Sequence, residues 1–311
     1  MGRAFTAIVG PAARLGLARL MPVAQLLRAG GARVRVEYTT GVAQARLLAR
    51  RCAAEGDVIL AAGGDGTLRC LGAALAGTDG VLGVVPAGRG NDLARQLGLP
   101  HRPADVAELL LHGEPRWIDT VDAAGETVLG SVYAGVDAAA NERANRARWT
   151  PSRLVYPLAG ARALAGWRPA RYEIAVDGRP PVALTAYTVV VANTGYYGGG
   201  LHVAPDARVD DGLLDVVVLG CASKLLFPLV LREMRTGAHL RRPEVTVLRG
   251  ASVTLSADRR VPAYADGDPL SAIGPSPQGT RPAADLAPPT GLGPLVLRAR
   301  PRTLAVLAPA G

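Results

Sequence analysis

A short apolar run that ends abruptly in glycines constrains this chain more than any other stretch of its sequence. Val58 to Ala62 is uniformly apolar, which predicts a buried strand, and Gly63-Gly64-Asp65-Gly66-Thr67 follows it directly. The apolar spacing from Leu68 to Leu75 predicts a helix that opens at Thr67. The glycines therefore lie in a strand-to-helix turn at the carboxyl end of a sheet, which is where open α/β sheets bind ligands.

The chemistry of this turn suits a phosphate group. Glycine lacks a Cβ, so its backbone N–H groups can approach an anion closely, and the start of a helix adds a favourable dipole. An ordinary tight turn is the less favoured alternative, because three glycines surround an acid and a hydroxyl follows. A second turn, Ala87-Gly88-Arg89-Gly90-Asn91-Asp92, follows the apolar run Val81 to Pro86. Two such turns side by side predict one cleft for a nucleotide.

The order of the elements predicts an α/β fold. Apolar strands alternate with helical patterns through the first third of the chain, which indicates an N-terminal, doubly wound parallel sheet. From about Trp117, short β-rich runs punctuated by glycine and proline predict a second, mostly antiparallel domain. We therefore divide the chain into residues 1–117 and 118–311. Residues 271–294 predict a flexible surface insertion, and Leu295–Leu297 and Leu304–Leu307 predict two closing strands.

Composition narrows the classes of function. A net charge of +9 indicates an anionic partner, either a nucleotide, an acidic membrane surface or a nucleic acid. Lys224 is the only lysine, which excludes a Walker-type P-loop or a Schiff-base enzyme unless Lys224 serves. Three scattered cysteines fit a reducing cytoplasm. The sequence lacks a full signal peptide and an apolar span of about 18 residues, so we expect a soluble or at most peripheral protein.

One basic stretch could form a docking surface. Seven arginines and no acid lie between Arg143 and Arg171. Four aromatic residues lie within or just beyond this stretch: Trp149, Tyr156, Trp167 and Tyr172. Such a surface can dock on anionic lipid headgroups or stack on nucleic-acid bases. A solvated helical face with its aromatic residues in the core is an equally weighted alternative.

Two later clusters complete a set of motifs. Asn193-Thr194-Gly195-Tyr196-Tyr197-Gly198-Gly199-Gly200 precedes Ala204-Pro205-Asp206-Ala207-Arg208-Val209-Asp210-Asp211-Gly212-Leu213-Leu214-Asp215, and Tyr264-Ala265-Asp266-Gly267-Asp268 follows. Together with the two glycine turns and in this order, these motifs resemble the diacylglycerol kinase-like lipid kinases of bacteria. That family is also similar to sphingosine kinases and, more remotely, to NAD kinases. The resemblance covers nearly the whole chain.

The resemblance implies an ATP-binding α/β domain, a β-sandwich domain and a cleft between them, in which a lipid hydroxyl attacks the γ-phosphate of ATP. The nucleotide-binding residues that we predict lie at the end of the second strand and in the two glycine turns. They are Thr40, Gly63, Gly64, Asp65, Gly66, Thr67, Leu68, Arg69 and Cys70, together with Gly88, Arg89, Gly90, Asn91 and Asp92.

The same resemblance implies the catalytic and metal-binding residues. The family's proton acceptor is an acid in a DG-acid turn, and the matching pair here is Asp266 and Asp268. Asp65 is implied to help place Mg²⁺, which with backbone amides takes much of the part that a lysine has in P-loop enzymes. A structural Mg²⁺ is implied at Arg208, Asp211 and Leu213. From the residues alone, a β-turn at Asp210-Asp211-Gly212 is the favoured interpretation of that loop.

Four departures from the family pattern stand out. The first strand ends in Gly10-Pro11 instead of Asn-Pro, and Arg69-Cys70 replaces Asn-Glu after the first glycine turn. Arg89 replaces a threonine, and Asp268 replaces a glutamate. A weakened enzyme, an altered substrate preference and a lost activity all stay open.

The leading hypothesis is an ATP-dependent, Mg²⁺-using lipid kinase that phosphorylates diacylglycerol or a related lipid alcohol. One alternative is a kinase for a soluble polyol or a dinucleotide, as in NAD kinases. Another is a catalytically impaired nucleotide-binding or membrane-binding module. We expect a lipid substrate at a membrane surface, no nucleic-acid partner, and a cytoplasmic protein that is at most peripheral to the inner face of the membrane. A homodimer stays open.

Overall fold

The computed structural model describes residues 2–11, 14–88, 90–146, 152–220, 223–273 and 293–309. Its first part alternates strands and helices. The strands are β1 (Ala4–Val9), β2 (Arg33–Tyr38), β3 (Val58–Gly63) and β4 (Val81–Pro86). The helices are α1 (Arg14–Ala29), α2 (Val42–Ala54), α3 (Asp65–Leu75), α4 (Asp92–Gln96) and α5 (Pro103–His112).

These strands form a parallel sheet in the order β2-β1-β3-β4, with helices on both faces. Helices α1 and α5 cover one face, whereas α2 and α3 cover the other. In β3, Leu60 packs toward α1 and α5, and its neighbour Ile59 packs toward α2 and α3. Burial on both faces explains the uniformly apolar run of β3. The predicted doubly wound sheet is therefore confirmed.

The later part of the chain is mostly strands. They are β5 (Pro115–Ala123), β6 (Glu126–Val128), β7 (Ser131–Gly135), β8 (Ala170–Val176), β9 (Val182–Ala192), β10 (Tyr196–Tyr197), β11 (Leu201–His202), β12 (Leu214–Gly220), β13 (Val245–Gly250), β14 (Ser252–Ala257), β15 (Val261–Ala265), β16 (Asp268–Ile273) and β17 (Leu295–Leu307). The α-helices are α6 (Val136–Arg146), α7 (Ser152–Gly166) and α8 (Phe227–Glu233), and two 3-10 helices span Lys224–Leu226 and Ala238–Arg241.

The named strands of this part pair antiparallel with one another, and they enclose a large apolar core, which confirms the predicted β-sandwich. Strand β9 shows why some strands in this part of the chain are apolar throughout. Val189 and Val191 face the sandwich core, whereas Val190 and Ala192 face a second cluster beneath α6 and α8. The helices thus cover the outer face of the sheet at this place.

The two closing strands that we predicted are one strand, so that prediction is wrong. Strand β17 runs for 13 residues and pairs antiparallel with β5 along its length, with a register shift between Arg300 and Leu304. Pro301 cannot donate a ladder hydrogen bond, which accounts for an irregularity at this place. Beyond it, Ala305 and Val306 pair parallel with β4. The final strand therefore joins the parallel sheet to the antiparallel one.

Two predictions about organisation cannot be judged from this fold. The boundary predicted between residues 117 and 118 falls inside β5, and the division into two domains stays a prediction. The insertion predicted at residues 271–294 lies outside the described residues apart from its two ends. Across the part of the chain that the structure describes, the helices are too short or too polar to cross a membrane.

Candidate active site

The first glycine turn presents open backbone at the start of α3. Gly64 is extended, with φ −99° and ψ −167°, and the helix begins at Asp65, two residues before the predicted Thr67. A carboxylate in the first turn is favourable beside the helix dipole, which explains the earlier start. The N–H groups of Asp65 and Gly66 have no acceptor within a helix. A Cβ on Gly66 would meet no atom within 4 Å, so this backbone faces open space.

The two glycine turns lie side by side, as predicted. The Ala87 N–H donates to the Gly63 carbonyl at 2.9 Å. A Cβ on Gly88 would lie 2.3 Å from the Cα of Gly64, and a Cβ on Gly64 would lie 2.9 Å from the Cα of Gly88. Backbone touches backbone here, so glycine is required on both sides of the contact. The parallel strands β3 and β4 bring the two turns to the same edge of the sheet.

The second glycine turn is closed by its own asparagine. Asn91 has φ 53°, a left-handed conformation that asparagine tolerates better than most residues. Its Oδ1 accepts the Gly88 N–H at 2.8 Å, and its Nδ2 donates to the Gly88 carbonyl at 3.0 Å. The Gly88 amide is therefore already used within the turn. Arg89, predicted to contact phosphate here, lies outside the described residues.

Two aspartates meet where the turns adjoin. Asp65 Oδ1 accepts the Asp92 N–H at 2.8 Å, and Asp92 Oδ2 accepts the Gly199 N–H at 2.9 Å. Burial raises the pKa of Asp92, and the charge of Asp65 raises it further. Asp92 Oδ1 is buried and has no hydrogen-bond partner among the described atoms. A buried, unpaired carboxylate oxygen beside a second carboxylate is a place that a divalent cation would stabilise.

These aspartates fit Mg²⁺ with few protein ligands. In the described ranges, no group of three or more histidine, cysteine, aspartate or glutamate side chains could hold a metal ion. Mg²⁺ usually keeps several waters and takes one or two carboxylates together with phosphate oxygens. Asp65 and Asp92 would supply the carboxylates of such a donor set, and a nucleotide would have to provide the phosphate oxygens.

The acidic turn Asp266-Gly267-Asp268 is the tip of a hairpin between β15 and β16. Ala265 pairs with Asp268, and the two central residues have φ 48° and 89°, as a type I′ turn requires. The Asp266 carboxylate accepts three N–H groups, from Leu129, Gly130 and Ser131, at 2.8, 2.9 and 3.0 Å. Burial raises the pKa of Asp266, and these hydrogen bonds oppose that shift. Asp266 thus fastens the hairpin to the turn between β6 and β7.

The other acid of the hairpin is joined to the first glycine turn. The side chain of Asp268 is 62% exposed, and its Oδ2 accepts a bond from Arg69 Nη1 at 2.8 Å. The same nitrogen donates to the Ala265 carbonyl at 3.1 Å. Arg69 is buried and lies one helical turn after Asp65 on α3. The structure therefore brings Asp65 and Asp268 to one region, although 203 residues separate them in the sequence.

The remaining predicted nucleotide ligands differ in their exposure. Thr40 is exposed and follows β2 at the ligand edge of the sheet, where its N–H and hydroxyl both bond Gln44 Oε1. The side chain of Leu68 is buried in the core beneath α3, so only its backbone could face a ligand. Cys70 is half-buried, and burial raises the pKa of its thiol.

The loop predicted to hold a structural Mg²⁺ is neutralised by an arginine. Asp211 Oδ1 accepts the Leu213 N–H at 3.0 Å, and Asp211 Oδ2 accepts a hydrogen bond from Arg249. Arg249 Nε also lies 3.4 Å from Asp215 Oδ1. The side chain of Arg208 is exposed. Both oxygens of Asp211 are therefore engaged, and an ion here, which stays a prediction, would have to displace Arg249.

Several residues that support the cleft were missed by the sequence analysis. Asp119 is fully buried, and its carboxylate accepts the N–H groups of Gly212 at 2.6 Å and Arg302 at 2.7 Å. The strand also carries Arg116, Thr120 and Asp122, so no local pattern singled out Asp119. Gln96 accepts from Gly195 N–H at 2.9 Å and donates to the Ala207 carbonyl at 3.1 Å. No sequence pattern marked Gln96.

The described aromatic residues in or next to the basic stretch from Arg143 to Arg171 pack in or against the sandwich core. Tyr172 is fully buried in the sandwich core. Trp167 packs against that core, and the Arg259 guanidinium lies 5.0 Å from the centre of its ring. Trp149 and the side chain of Tyr156 lie outside the described residues. The observed contacts agree with the alternative that places the aromatic residues in the core.

Two protein-family models match the chain almost end to end. Residues 6–123 match the model described as a diacylglycerol kinase catalytic domain. Residues 130–308 match the model described as a YegS C-terminal NAD kinase beta sandwich-like domain. The diacylglycerol kinase of Mycobacterium tuberculosis is 36% identical over 235 residues, which cover 71% of this chain and 74% of that protein.

Solved structures share the fold. A diacylglycerol kinase from Bacillus anthracis strain Sterne matches 99% of this chain and 97% of its own, with a TM-score of 0.67 and 17% identity. An NAD kinase from Archaeoglobus fulgidus, in complex with ATP, matches 97% of this chain and 92% of its own, with a TM-score of 0.52 and 14% identity. At such identities the likeness concerns the fold alone.

Proposed function

Because the chain belongs to the diacylglycerol kinase family and is a lipid kinase that acts on an alcohol group, we propose that it transfers the γ-phosphate of ATP to diacylglycerol or a related lipid alcohol. The supporting observation is the junction of three parts: the open amides of the first glycine turn, the Asp65 and Asp92 pair, and exposed Asp268. A phosphate site, a metal-compatible pair and a base are what phosphoryl transfer requires.

The backbone positions the phosphate chain in this proposal. The N–H groups of Asp65 and Gly66 have no acceptor within α3, the space beside Gly66 is open, and the helix dipole favours negative charge at this end of the helix. When bound, Mg²⁺ would be held by Asp65 and Asp92 and would supply charge neutralisation at the phosphates. The second glycine turn contacts Gly64 and supports it. The side chain of Asn91 holds this turn in shape, because it binds both the N–H and the carbonyl of Gly88.

Asp268 takes the proton in this proposal. The hydroxyl oxygen of the lipid forms a bond to the γ-phosphorus, the bond from that phosphorus to the β–γ bridging oxygen breaks, and ADP leaves with the electron pair. The hydroxyl proton passes to the Asp268 carboxylate. Arg69 engages Asp268 Oδ2, which leaves Oδ1 for the proton, and it holds the hairpin against α3. Asp266 has a positioning role, because three backbone amides engage its carboxylate.

A phosphate-transfer assay with separated product phases tests the proposal. Purified protein receives γ-labelled ATP, Mg²⁺ and diacylglycerol in detergent micelles, with NAD as a competing soluble acceptor. We expect label in the organic phase, and Asp65→Asn should reduce it by about 1,000-fold. Asp79→Asn, in an exposed turn, is the matched control. Label in the aqueous phase alone would favour the dinucleotide kinase, and ATP binding without turnover would favour the impaired module.

Substitutions of the two acids of the hairpin distinguish the proposed catalytic base from the residue that stabilises the hairpin. Asp268→Asn should lower kcat by about 100-fold or more and change the melting temperature only slightly, because the side chain is mostly exposed and an asparagine oxygen can still accept the hydrogen bond from Arg69. Asp266→Asn should lower the free energy of unfolding by about 1 to 3 kcal/mol, since an NH2 donor would replace one of the two oxygens that accept from the backbone N–H groups. Thermal melts and single-turnover kinetics on both variants measure the contrast. Equal kcat values for Asp268→Asn and the parent protein would remove Asp268 from the mechanism.

A further inference from the structure

One short segment exposes more apolar surface than its packing explains. Leu225 is 89% exposed, and three other leucines within six residues are exposed as well: Leu226, Leu229 and Leu231. We call these four residues the leucine ridge. They lie on the 3-10 helix Lys224–Leu226 and on helix α8. Clusters of exposed apolar side chains commonly mark interaction surfaces, whereas single ones are ordinary.

The segment that carries the ridge is packed against the protein through its inward-facing side chains. Val230 and Met234 of the same segment are buried against the outer face of the sandwich. Phe227 packs edge-on against Tyr187, with ring centres 5.5 Å apart, and Lys224 Nζ donates to the Ala165 carbonyl at 2.9 Å. The inward face therefore already has its apolar partners. Leu229 and Leu231 flank the buried Val230 on its two sides, and Leu225 and Leu226 precede them, so apolar side chains stay exposed beside the packed face.

The charge around the ridge indicates what covers it. Five basic residues lie in the segment from Lys224 to Arg242: Lys224, Arg232, Arg235, Arg241 and Arg242. The single acid there, Glu233, is held by Arg242 through two bonds of 2.6 and 2.9 Å, which lower its pKa. A second copy of the chain would bring the same positive charge against this surface. An anionic bilayer offers opposite charge and an apolar interior together.

The ridge is also connected to the cleft. The Met234 carbonyl accepts the His202 N–H at 2.7 Å, and His202 stacks on Tyr196 at 4.2 Å between ring centres. The loop between these residues carries Gly199, whose N–H binds Asp92. The C-terminal end of the segment that carries the ridge is thus bonded to the hairpin whose loop binds Asp92. A membrane at the ridge would place that loop close to lipid.

We propose that the leucine ridge inserts into the surface of an anionic membrane and presents the cleft to a lipid alcohol within it. The role of the ridge in presenting the cleft to lipid rests on the proposed lipid kinase activity, whereas its binding to a membrane does not. The leucines enter the boundary between headgroups and acyl chains, and the exposed side chains of Arg232, Arg235 and Arg241 pair with anionic headgroups. High salt should weaken the contribution of the basic residues, because it screens exposed charges.

Vesicle co-sedimentation of the full chain tests the ridge directly. The vesicles contain phosphatidylcholine alone or phosphatidylcholine mixed with phosphatidylglycerol. We expect binding to the mixed vesicles, weakened by salt, and a loss of about tenfold or more in the double variant Leu225→Ser with Leu229→Ser. Leu15→Ser with Leu47→Ser is the matched control, because these leucines are 72% and 70% exposed on α1 and α2. The control should bind like the parent protein.

A kinetic comparison distinguishes the ridge from the active site. With a short-chain, water-soluble diacylglycerol, the ridge variant should keep the parent kcat, whereas with diacylglycerol in anionic vesicles its activity should fall with its binding. Failure of the parent protein on every lipid would refute the kinase proposal and leave the vesicle result standing. Parent-like vesicle binding by the ridge variant would overturn the inference. So would a dimer in light scattering that the ridge substitutions separate into monomers.

Discussion

The two glycine turns look alike in sequence and behave differently in the structure. The first leaves the N–H groups at the start of α3 without an acceptor in the helix, and a Cβ on Gly66 would meet no atom within 4 Å. The second is closed by Asn91, whose side chain binds both the N–H and the carbonyl of Gly88. Each follows a buried parallel strand at the same sheet edge. The first turn is open, as the proposed phosphate site requires, and the second turn is closed and contacts the first.

Glycine can therefore be required at a position either by a neighbouring backbone or by a bound ligand. Gly64 and Gly88 are required because their backbones touch, and Gly66 is required only if a ligand fills the space before it. All three positions are glycine, so the sequence alone does not distinguish these roles. Substitutions that add a single methyl group separate these roles, since each glycine would fail in a different measurement.

Among the glycine and asparagine substitutions in the two turns, Gly66→Ala should have the largest effect, and that effect is on ATP use. The new methyl group would point into the space that we assign to phosphate, so the KM for ATP should rise by about 10- to 100-fold. The free energy of unfolding should stay equal or rise by about 0.5 to 1 kcal/mol, because alanine favours the helix. Steady-state kinetics and chemical denaturation measure both. An unchanged KM would remove the first turn from nucleotide binding.

Gly88→Ala should act on folding rather than on ATP affinity. A Cβ there would lie 2.3 Å from the Cα of Gly64, so strands β3 and β4 would have to separate at their ends. We expect a loss of about 2 to 3 kcal/mol in the free energy of unfolding. Gly41→Ala, whose Cβ would meet no atom within 4 Å, is the control. If Gly88→Ala melted like the parent, the proposed support between the turns would be wrong.

Asn91 tests how the second turn keeps its shape. Asn91→Ala removes both hydrogen bonds to Gly88 and places alanine at φ 53°, so it should cost about 1 to 2 kcal/mol of stability. Asn91→Gly should recover the part that comes from backbone strain. Thermal denaturation of the two variants compares them. Equal losses would show that the hydrogen bonds alone matter.

The smallest expected effect is a change in the pH dependence of stability at Asp92. Burial raises the folded pKa of Asp92 above its unfolded value, so its contribution to stability is fully present below the unfolded pKa and is lost as pH rises through the folded pKa. Asp92→Asn should therefore flatten the decline in melting temperature above about pH 4. Melts across pH in the presence of a chelator measure this. Added Mg²⁺ should stabilise the parent protein and not the variant.

Much of the candidate site followed from local pattern. The two strand-to-helix turns, the Asp266-Gly267 hairpin and the loop around Asp211 all appear where their residues predict a turn. These features are readable because glycine, asparagine and aspartate act within a few residues of themselves. The start of α3 was misplaced by two residues, since apolar spacing carries no information about a polar first turn.

The local elements can be read from the residues alone: buried strands, glycine turns at their carboxyl ends, and an acidic turn. How those elements combine follows from contacts between distant parts of the chain. Arg69 reaches Asp268 across the fold, Asp266 turns inward to three amides, and β17 runs as one strand between two sheets. The physical reason is that charge pairing and strand pairing depend on which distant segments the core brings together, and no short window of residues contains that partner.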